Sequence, residues 1–333
     1  MAVLNTSFLT LSDIAKQTDP DGTVSPIIEL LGQMNEMLDD IPWIEGNLVT
    51  GHRTTVRTKL PDVYLRGLNE GTRVSKAGNN QIDETTSIIE GWSEVDEELL
   101  RLSSNPAQTR LNEDSGFVES MNQKCQELLI YGNHGNDPKE FNGVHVRYDE
   151  LGGNDAGQII DAGGTGSDNT SIWLVGWSPI TVHGVYGKHG VAGLETKDWG
   201  TVVVEETDAD SNPTRIVKAR SQFIWRPGIA VRDYRYVVRI ANIDVSNAVT
   251  ESGAADLIKL MSRAMERIYS MNGVRPAFYM NRAIKEVLRV QEVTKTTNST
   301  LRMGEIYGRP VLMAGGVPIR CIDRILNTEA RIV

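Results

Sequence analysis

The sequence predicts an α+β fold, and three features of the chain carry that prediction. One unusually long helix is predicted over residues 105–132, a strand-rich block follows at 171–244, and helices alternate with strands from 254 onwards. The 333 residues are enough for about two domains with a sizeable core.

The long helix is delimited at both ends. Asn105 suits an N-cap, Pro106 suits the first helical position, and Gly132 suits the left-handed residue that closes a helix. Apolar residues recur at steps of three and four, with Ser115 as the weak point, and predict one buried stripe. The stripe comprises Ala107, Leu111, Val118, Met121, Cys125, Leu128 and Leu129. A helix over 106–131 would be about 39 Å long, so we expect other elements to lie along it.

Turn and cap signals divide the rest of the chain. Helices are expected at 11–17 and 25–38, with a turn at 19–22 between them, and Ser93 is expected to cap a short acidic helix at 94–102. Further helices are expected at 254–269 and 282–293. Strands are expected at 172–177, 181–186, 201–206, 214–225, 229–243, 277–280, 310–313 and 317–322.

Composition describes an ordinary globular protein, with 40% apolar and 23% charged residues. No apolar run reaches the length of a membrane span, and the first residues lack the basic flank of a signal peptide, so we expect folding in a cytoplasm. Cys125 and Cys321 are expected to be buried thiols rather than a disulfide. The net charge of −10 argues against a surface that coats nucleic acid.

Charge is distributed in blocks. Residues 1–50 contain one base and eight acids, a balance of −7, and residues 79–100 contain seven acids and no base. Between these blocks, residues 51–78 carry a balance of +4 from six bases and two acids. The bases are Arg53, Arg57, Lys59, Arg66, Arg73 and Lys76.

That basic segment is predicted to be an extended hairpin. Residues alternate from 52 to 60, which predicts a strand with a basic face, and a returning strand is expected at 81–92. Only 14 of the 46 residues from 47 to 92 are apolar, so the segment has little to bury on itself. Because isolated two-stranded hairpins are marginal in water, we expect it to reach another molecule.

No motif requires an active site, a metal or a cofactor. The glycine-rich stretch at 163–170 lacks the lysine of a phosphate loop, and 208–212 begins like a calcium loop but continues with Pro213 instead of glycine. His183 and His189 have no carboxylate or cysteine at ligand spacing and are interpreted as surface loop residues. The chain is therefore not predicted to be an enzyme.

Five stretches resemble major capsid proteins of short-tailed, double-stranded DNA phages. They are PWIEGN at 42–47, GHRTTVR at 51–57, DAGGTGSDNTSIW at 161–173, RYVVRIANID at 235–244 and NTEAR at 327–331. The resemblance covers nearly the whole chain and implies the Hong Kong 97-type capsid fold. Its parts would be an N-arm (1–46), an E-loop (47–92), a P-domain (93–145 and 170–245) with spine helix 106–131, and an A-domain (146–169 and 246–333). Since the prototype has its last P-domain strands nearer the C-terminus, we expect a permuted connectivity here.

The resemblance also implies partners. Copies of the chain would form hexamers and pentamers of an icosahedral shell around double-stranded DNA, bound without sequence specificity, in a virion assembled in the host cytoplasm. A separate scaffolding protein, a portal protein and, in some relatives, a cement or decoration protein would complete it, and no membrane is involved. Lys59 and Lys76 lie where some relatives crosslink to a neighbour's asparagine, but we expect ion pairs instead.

The six bases of the hairpin are expected to contact a neighbouring subunit. Their expected partners are the acids of the N-arm or the group Glu94, Asp96, Glu97 and Glu98. Two alternatives remain open at this stage. An encapsulin-like compartment would hold protein cargo instead of a genome, and a monomeric α/β enzyme with a site near His183 and His189 would elute near 37 kDa.

Overall fold

The structure is a computed structural model, and the chain divides into two compact units that are described separately. The first comprises Met1–Asn35, Ile88–Gln126 and Gly193–Arg226, and the second comprises Glu36–Ser87, Glu127–Ala192 and Pro227–Val333. The structure describes residues 33, 35–153, 156–207, 212–250, 255–294, 301–306 and 309–333. The helices predicted at 11–17 and over most of 25–38 lie outside these residues.

The described residues contain six α-helices and fifteen strands. The α-helices are α1 (Met37–Asp40), α2 (Glu97–Leu102), α3 (Pro106–Tyr131), α4 (Val245–Thr250), α5 (Leu257–Arg267) and α6 (Arg282–Thr294). The strands are β1 (Trp43–Glu45), β2 (Gly51–Lys59), β3 (Gly78–Thr85), β4 (Ile89–Asp96), β5 (Ile159–Asp161), β6 (Asn169–Trp177), β7 (Val182–Tyr186), β8 (Leu194–Thr207), β9 (Pro213–Trp225), β10 (Gly228–Val231), β11 (Val237–Asp244), β12 (Arg275–Met280), β13 (Leu301–Ile306), β14 (Arg309–Ala314) and β15 (Val317–Cys321).

The first unit packs α3 against an antiparallel sheet in the order β4-β9-β8. The ring of Phe223 in β9 stacks on Phe117 of the helix, with ring centroids 6.3 Å apart. Beside this contact, the Ser221 hydroxyl donates to the Asp114 carboxylate at 3.2 Å and accepts from Arg110 at 3.0 Å. The surface between helix and sheet is therefore partly polar.

The long helix has the predicted bounds, because α3 runs from Pro106 to Tyr131. The Asn105 side-chain oxygen accepts a 3.2 Å hydrogen bond from the Gln108 backbone amide, as expected of an N-cap. The predicted role of Gly132 is wrong, since its φ is not left-handed. A Cβ at Gly132 would lie 2.4 Å from the carbonyl oxygen of Phe141, so close backbone approach is what excludes a side chain.

The apolar stripe predicted for α3 is correct only in its second half. The buried stripe residues there are Met121, Cys125, Leu128 and Leu129. In the first half, Leu111 is 61% exposed and Val118 is 39% exposed, whereas Thr109 and Asn112 are buried. Thr109 is satisfied locally by Ser103 and the Asn105 backbone oxygen. Arg110 and Asp114 bind Ser221 of the sheet, so this half of the helix makes polar contacts instead of an apolar stripe.

The second unit is built on a ten-stranded sheet with the main path β1-β7-β6-β12-β15-β14-β13. Strand β10 pairs with β7, and β11 pairs with β6 and β5. Every residue of β6 is buried, which is typical of a strand covered on both faces. Helix α5 packs on β11 and β14, and α6 packs on α4 and α5. Strands β2 and β3 form a separate two-stranded sheet.

One prediction about an element border is wrong. The acidic helix begins at Glu97 instead of Glu94, because residues 89–96 pair with β9 and Asp96, not Ser93, caps the helix. The block at 170–245, which is predicted to belong to the P-domain, contributes strands to both units. Strands β8 and β9 belong to the first unit, whereas β6, β7, β10 and β11 join the sheet of the second unit. Local sequence patterns do not reveal this division, since all six segments have the composition of strands.

Within the part of the chain that the structure describes, no helix has the length and apolar character needed to cross a membrane.

Candidate assembly interface

Strands β2 and β3 form an antiparallel hairpin, called here the ribbon (residues 51–59 and 78–85). The Arg53 guanidinium binds the Asp83 carboxylate across it through two contacts of 2.6 Å. This hydrogen bonding holds the pKa of Asp83 below its usual range. Asn47 fixes the start of the ribbon, because its side-chain amide exchanges two 2.7 Å hydrogen bonds with the backbone of Arg53.

Residues 60–77 connect β2 to β3 and are called the tip. The tip carries apolar side chains in solvent, with exposed fractions of 91% for Val63, 98% for Leu68 and 100% for Val74. Leu60 and Leu65 are also exposed. Clustered exposed apolar groups of this kind mark interaction surfaces, so the tip is a candidate contact surface.

A buried ion pair anchors the root of the ribbon. The Arg147 guanidinium donates to both carboxylate oxygens of Glu84 in β3, at 2.8 and 2.6 Å, and also to the backbone oxygen of Asn142 at 3.2 Å. Gly51 lies so close to this strand that a Cβ would be 2.0 Å from the Glu84 carbonyl oxygen. The ribbon therefore leaves the second unit from a fixed base.

Two histidines meet beside that base. The His52 ring packs edge-on against His183, with centroids 5.6 Å apart, and His183 is buried in β7. Burial is the largest cause that lowers the pKa of His183 to about 4, and the nearby His52 and Arg232 contribute to the same shift. Burial also lowers the pKa of His52. Both rings are therefore held in the neutral form at neutral pH.

A groove of about 560 Å³, called the edge groove, runs beside β2. Residues 55–60 line one wall, and Ile180 with residues 232–235 lines the other. Consecutive residues of β2 line the groove and β3 contributes none, so the groove follows the unpaired edge of β2 rather than one face of the ribbon. Its cationic side chains are Arg57, Lys59, Arg232 and Arg235.

The four acids expected to meet a neighbour's bases have partners in their own chain. Glu94 lies in β4, where Lys218 approaches it at 3.4 Å and Arg220 also pairs with it. Asp96 caps α2 by accepting from the Glu98 backbone amide at 3.0 Å. Glu97 and Glu98 both pair with Arg101, at 2.8 and 2.9 Å. Contacts of these acids with another subunit stay a prediction.

The six predicted bases fall into two groups. Arg53 is paired with Asp83, Lys59 is 4.0 Å from Asp62, and Arg66 donates to the backbone oxygen of Glu70 at 2.6 Å. No ion pair between described residues includes the other three, which are exposed. They are Arg57, Arg73 and Lys76.

Sequence reasoning missed Arg147, Arg232 and the apolar tip. Arg147 lies 63 residues from Glu84, and no local spacing connects the two. Arg232 joins the edge groove only through the folded sheet. The leucines and valines of the tip were visible in the sequence, but they follow no helical or strand period, so periodicity did not single them out.

Three of the five stretches that carry the resemblance meet in a buried polar cluster, called the terminal cluster. The Arg239 guanidinium binds Glu329 at 2.7 Å, the Tyr148 backbone oxygen at 2.7 Å and the Ser171 hydroxyl at 3.0 Å. The Tyr131 hydroxyl donates to Glu329 at 2.5 Å. Burial lowers the pKa of Arg239 and raises that of Tyr131. These residues fix the end of the chain to the core of the second unit.

The histidine and cysteine predictions have mixed outcomes. His183 is a buried strand residue, so its interpretation as a surface loop residue is wrong, whereas His189 is exposed as predicted. Cys125 and Cys321 are buried free thiols, as expected. Among the described residues, no group of three or more histidine, cysteine, aspartate or glutamate side chains could hold a metal ion.

A long helix against a three-stranded sheet, a separate α/β unit and a projecting ribbon with an apolar tip define a shell-building protein of the tailed-phage capsid class. Residues 19–333 match the family model described as Major capsid protein GP7, and the chain belongs to this family. It is a capsid protein with the Hong Kong 97-type fold.

The chain is also similar to solved structures. The chain is 28% identical to the capsid protein in the structure of bacteriophage Epsilon15, with a TM-score of 0.80 over 100% of this chain and 99% of that one. The capsid of bacteriophage JBD30 matches at 11% identity and a TM-score of 0.46, covering 96% of each chain. The SrpI encapsulin of Synechococcus elongatus matches at 11% identity and a TM-score of 0.42, over 70% of this chain and 96% of that one. A search of curated proteins found no match.

Proposed function

We propose that copies of this chain form the hexamers and pentamers of an icosahedral shell that encloses double-stranded DNA, and that the ribbon and tip of each copy lie over an adjacent copy. The exposed apolar tip is the observation that carries this proposal. Fully burying one leucine or valine side chain is worth about 1.5–3 kcal/mol. Several such side chains on one projecting segment therefore supply enough free energy for a specific contact between copies.

The tip has no comparable role within the protomer. Val63, Leu68 and Val74 are almost fully exposed, so folding of a single chain gains almost nothing from them. The ribbon base is rigidly held by Glu84 and Arg147, which presents the tip at a defined position. A fixed base with an uncovered apolar end is what a contact with a sister subunit requires, because less freedom is then lost on binding.

The double substitution of Leu65→Ser and Leu68→Ser tests the proposal. Both side chains are exposed in the protomer, so the free energy of unfolding should stay within about 0.5 kcal/mol of the wild-type value. Assembly into capsomers and shells should be lost. Size-exclusion chromatography and electron microscopy measure assembly, and urea unfolding measures stability.

Val249→Ser is the matched control, because Val249 is also exposed but lies in α4, away from the ribbon. This variant should assemble like the wild type. Normal shells from the double tip variant would contradict the proposal, as would a wild-type chain that stays monomeric at all concentrations in the presence of the scaffolding protein.

The six ribbon and tip bases are proposed to support the same contact. Arg57, Arg73 and Lys76 are the better candidates, because Arg53 is already bound to Asp83. Glu94 is the weakest acidic candidate, since Lys218 and Arg220 of its own chain already neutralise it. Exposed pairs are worth about 0–1 kcal/mol each, so they would set the register of the contact more than its strength.

The domain assignment follows from the two units. We assign the P-domain to 88–126 and 193–226, the E-loop to 47–87, and the A-domain to 127–192 and 227–333, with the N-arm at 1–46. The order of these segments supports the permuted connectivity, because the chain returns to the A-domain after residue 226 and contributes no further strand to the first unit among the described residues.

The further partners are proposed from family membership. They are a separate scaffolding protein, a portal protein, a cement or decoration protein and the packaged DNA, with assembly in the host cytoplasm and no enzymatic activity of the shell protein. Nucleic acid content is the sharpest test. Purified mature particles should contain double-stranded DNA, and particles filled with protein cargo instead would favour a compartment of the encapsulin type.

A further inference from the structure

We propose that the edge groove binds a polyphosphate, a chain of linked phosphate groups that contacts both walls of the groove. The site does not depend on the proposed function, because every residue that lines the groove belongs to one copy of the chain.

The size of the groove fits such a ligand. Its volume of about 560 Å³ lies within the range of small-molecule binding sites, which is about 300–1,000 Å³. One wall follows six consecutive residues, 55–60, which in an extended chain span about 20 Å. A single small anion would leave most of this space to water, whereas a chain of phosphate groups can run along the wall.

Cations on both walls outnumber the acids of the groove. Asp233 is the one acid that lines it, and Arg235 already binds this acid through two contacts of 2.9 and 2.7 Å. Arg57 and Lys59 on the first wall and Arg232 on the second therefore leave a cationic surplus. Like charges on facing walls repel each other, so an anion that contacts both walls stabilises the closed arrangement.

The neighbouring acid of the tip does not cancel this surplus. Asp62 is 4.0 Å from Lys59, and both side chains are more than half exposed, at 58% and 67%. Such a pair contributes little and can exchange for a better one.

The polar groups of the groove are suited to phosphate oxygens. Arg232 is positioned by donating to the Pro179 carbonyl oxygen at 3.2 Å, and this contact uses one of the five N–H donors of a guanidinium. The planar guanidinium can bind two oxygens of one phosphate group side by side. Thr55, Thr58 and Tyr234 add hydroxyl groups to the lining.

The charge of the ligand follows from the three surplus cations. A ligand with about three negative charges in a short length neutralises them together, and linked phosphate groups supply that charge density. Inorganic polyphosphate and the phosphate chain of a nucleotide share this chemistry. Tyr234 is 47% exposed at the groove, so its ring is available to stack on the base of a nucleotide.

Isothermal titration calorimetry of the full-length chain with inorganic tripolyphosphate tests the site. R57E/K59E should lower the affinity at least tenfold, and Arg232→Gln on the opposite wall should lower it at least fivefold. R73E/K76E is the matched control, because it makes the same charge change on the tip outside the groove. At physiological salt, where charges more than about 8 Å apart are screened, this control should stay within threefold of the wild type.

Citrate tests whether the groove selects phosphate. Citrate carries a similar charge on carboxylates, and it should bind at least tenfold more weakly than tripolyphosphate. Four results would overturn the inference: no binding of tripolyphosphate to the wild type, equal binding of citrate, an equal loss in R73E/K76E and R57E/K59E, or an unchanged affinity in Arg232→Gln. Urea unfolding of each variant shows that the fold is intact, and R57E/K59E changes only exposed side chains.

A comparison of two ligands distinguishes the two sources of phosphate. If the ligand is a nucleotide, Tyr234→Ala should lower the affinity for dATP at least fivefold and leave the affinity for tripolyphosphate within twofold of the wild type. If the ligand is inorganic polyphosphate, Tyr234→Ala should change neither affinity by more than twofold. Both results support the site, whereas dATP and tripolyphosphate that bind the wild type without competing for one site would overturn it.

Discussion

The pairs Arg239–Glu329 and Arg53–Asp83 have the same chemistry in opposite surroundings. In each pair a guanidinium meets a carboxylate, at 2.7 Å in the terminal cluster and at 2.6 Å in the ribbon. The side chains of the first pair are 0% and 3% exposed, and those of the second are 48% and 50% exposed. The distance between the charged groups therefore says little about how much a pair stabilises the protein. The contribution of an ion pair to the free energy of unfolding depends on how far water reaches it.

The difference also separates what the two regions do. The terminal cluster ties the last residues of the chain to strands of the core, and every member of it is satisfied inside one protomer. The ribbon keeps its register through an exposed pair and ends in apolar side chains that face water. Stability of the protomer therefore depends on the first region, whereas assembly is proposed to depend on the second.

The largest expected effect comes from breaking the buried pair. Glu329→Gln removes the charge but keeps the shape, and leaves the Arg239 guanidinium buried without a counter-ion. Removing one partner of a buried pair costs about 3–5 kcal/mol, so the free energy of unfolding should fall by about that amount. Urea unfolding of the purified protein measures the change.

A double substitution shows whether the lone charge is the cause. Replacing both partners with apolar residues, Arg239→Met and Glu329→Leu, removes the buried charge altogether. This variant should be more stable than Glu329→Gln. If Glu329→Gln unfolds at the same urea concentration as the wild type, the Arg239–Glu329 pair does not stabilise the chain. The contrast between the terminal cluster and the ribbon would then be wrong.

The sequence could predict features with a local cause. The start of α3 follows from Asn105 and Pro106, and the ribbon strand follows from alternation after Gly51. These signals act within a few residues of the structure they specify, so no knowledge of the rest of the chain is needed. The fold itself came from resemblance in five stretches, three of which meet only in the folded protein.

The sequence could not predict features that depend on distant segments. Ser93 looks like a helix cap, but pairing with β9 makes it a strand residue. Leu111 fits an apolar stripe, but it is exposed, and the neighbouring Arg110 and Asp114 are the residues that bind Ser221 of the sheet. His183 looks like a loop residue, and Glu84 gives no sign of Arg147, because their environments come from strands and loops far away in the chain. Local patterns therefore could not predict the surroundings of these residues.

An intermediate effect is expected at the base of the ribbon, where His183 is buried but neutral. Its pKa in the folded protein is about 4, below the usual 6.5, so the unfolded chain binds a proton that the folded chain does not in the pH range between these values. Stability is therefore complete above pH 6.5 and is lost as the pH falls towards 4, by about 2 kcal/mol between pH 7 and pH 5 from this residue. Urea unfolding at pH 7 and pH 5 should show that the free energy of unfolding falls less in His183→Asn than in the wild type. An equal loss in both proteins would remove His183 as a cause.

The smallest effect is expected in the ribbon itself. Arg53→Ala deletes the pair with Asp83, but water replaces the lost contacts of a carboxylate that is half exposed. The free energy of unfolding should change much less than for Glu329→Gln, although the deleted contacts in the ribbon are the shorter ones. Raising the salt concentration should shrink even this difference, because ions screen exposed charges and leave the buried pair almost unaffected. Urea unfolding in low and high salt measures both effects. If Arg53→Ala lowered the free energy of unfolding as much as Glu329→Gln does, and salt did not change this effect, the ribbon would stabilise its own protomer. The proposed division of roles between the two regions would then be wrong.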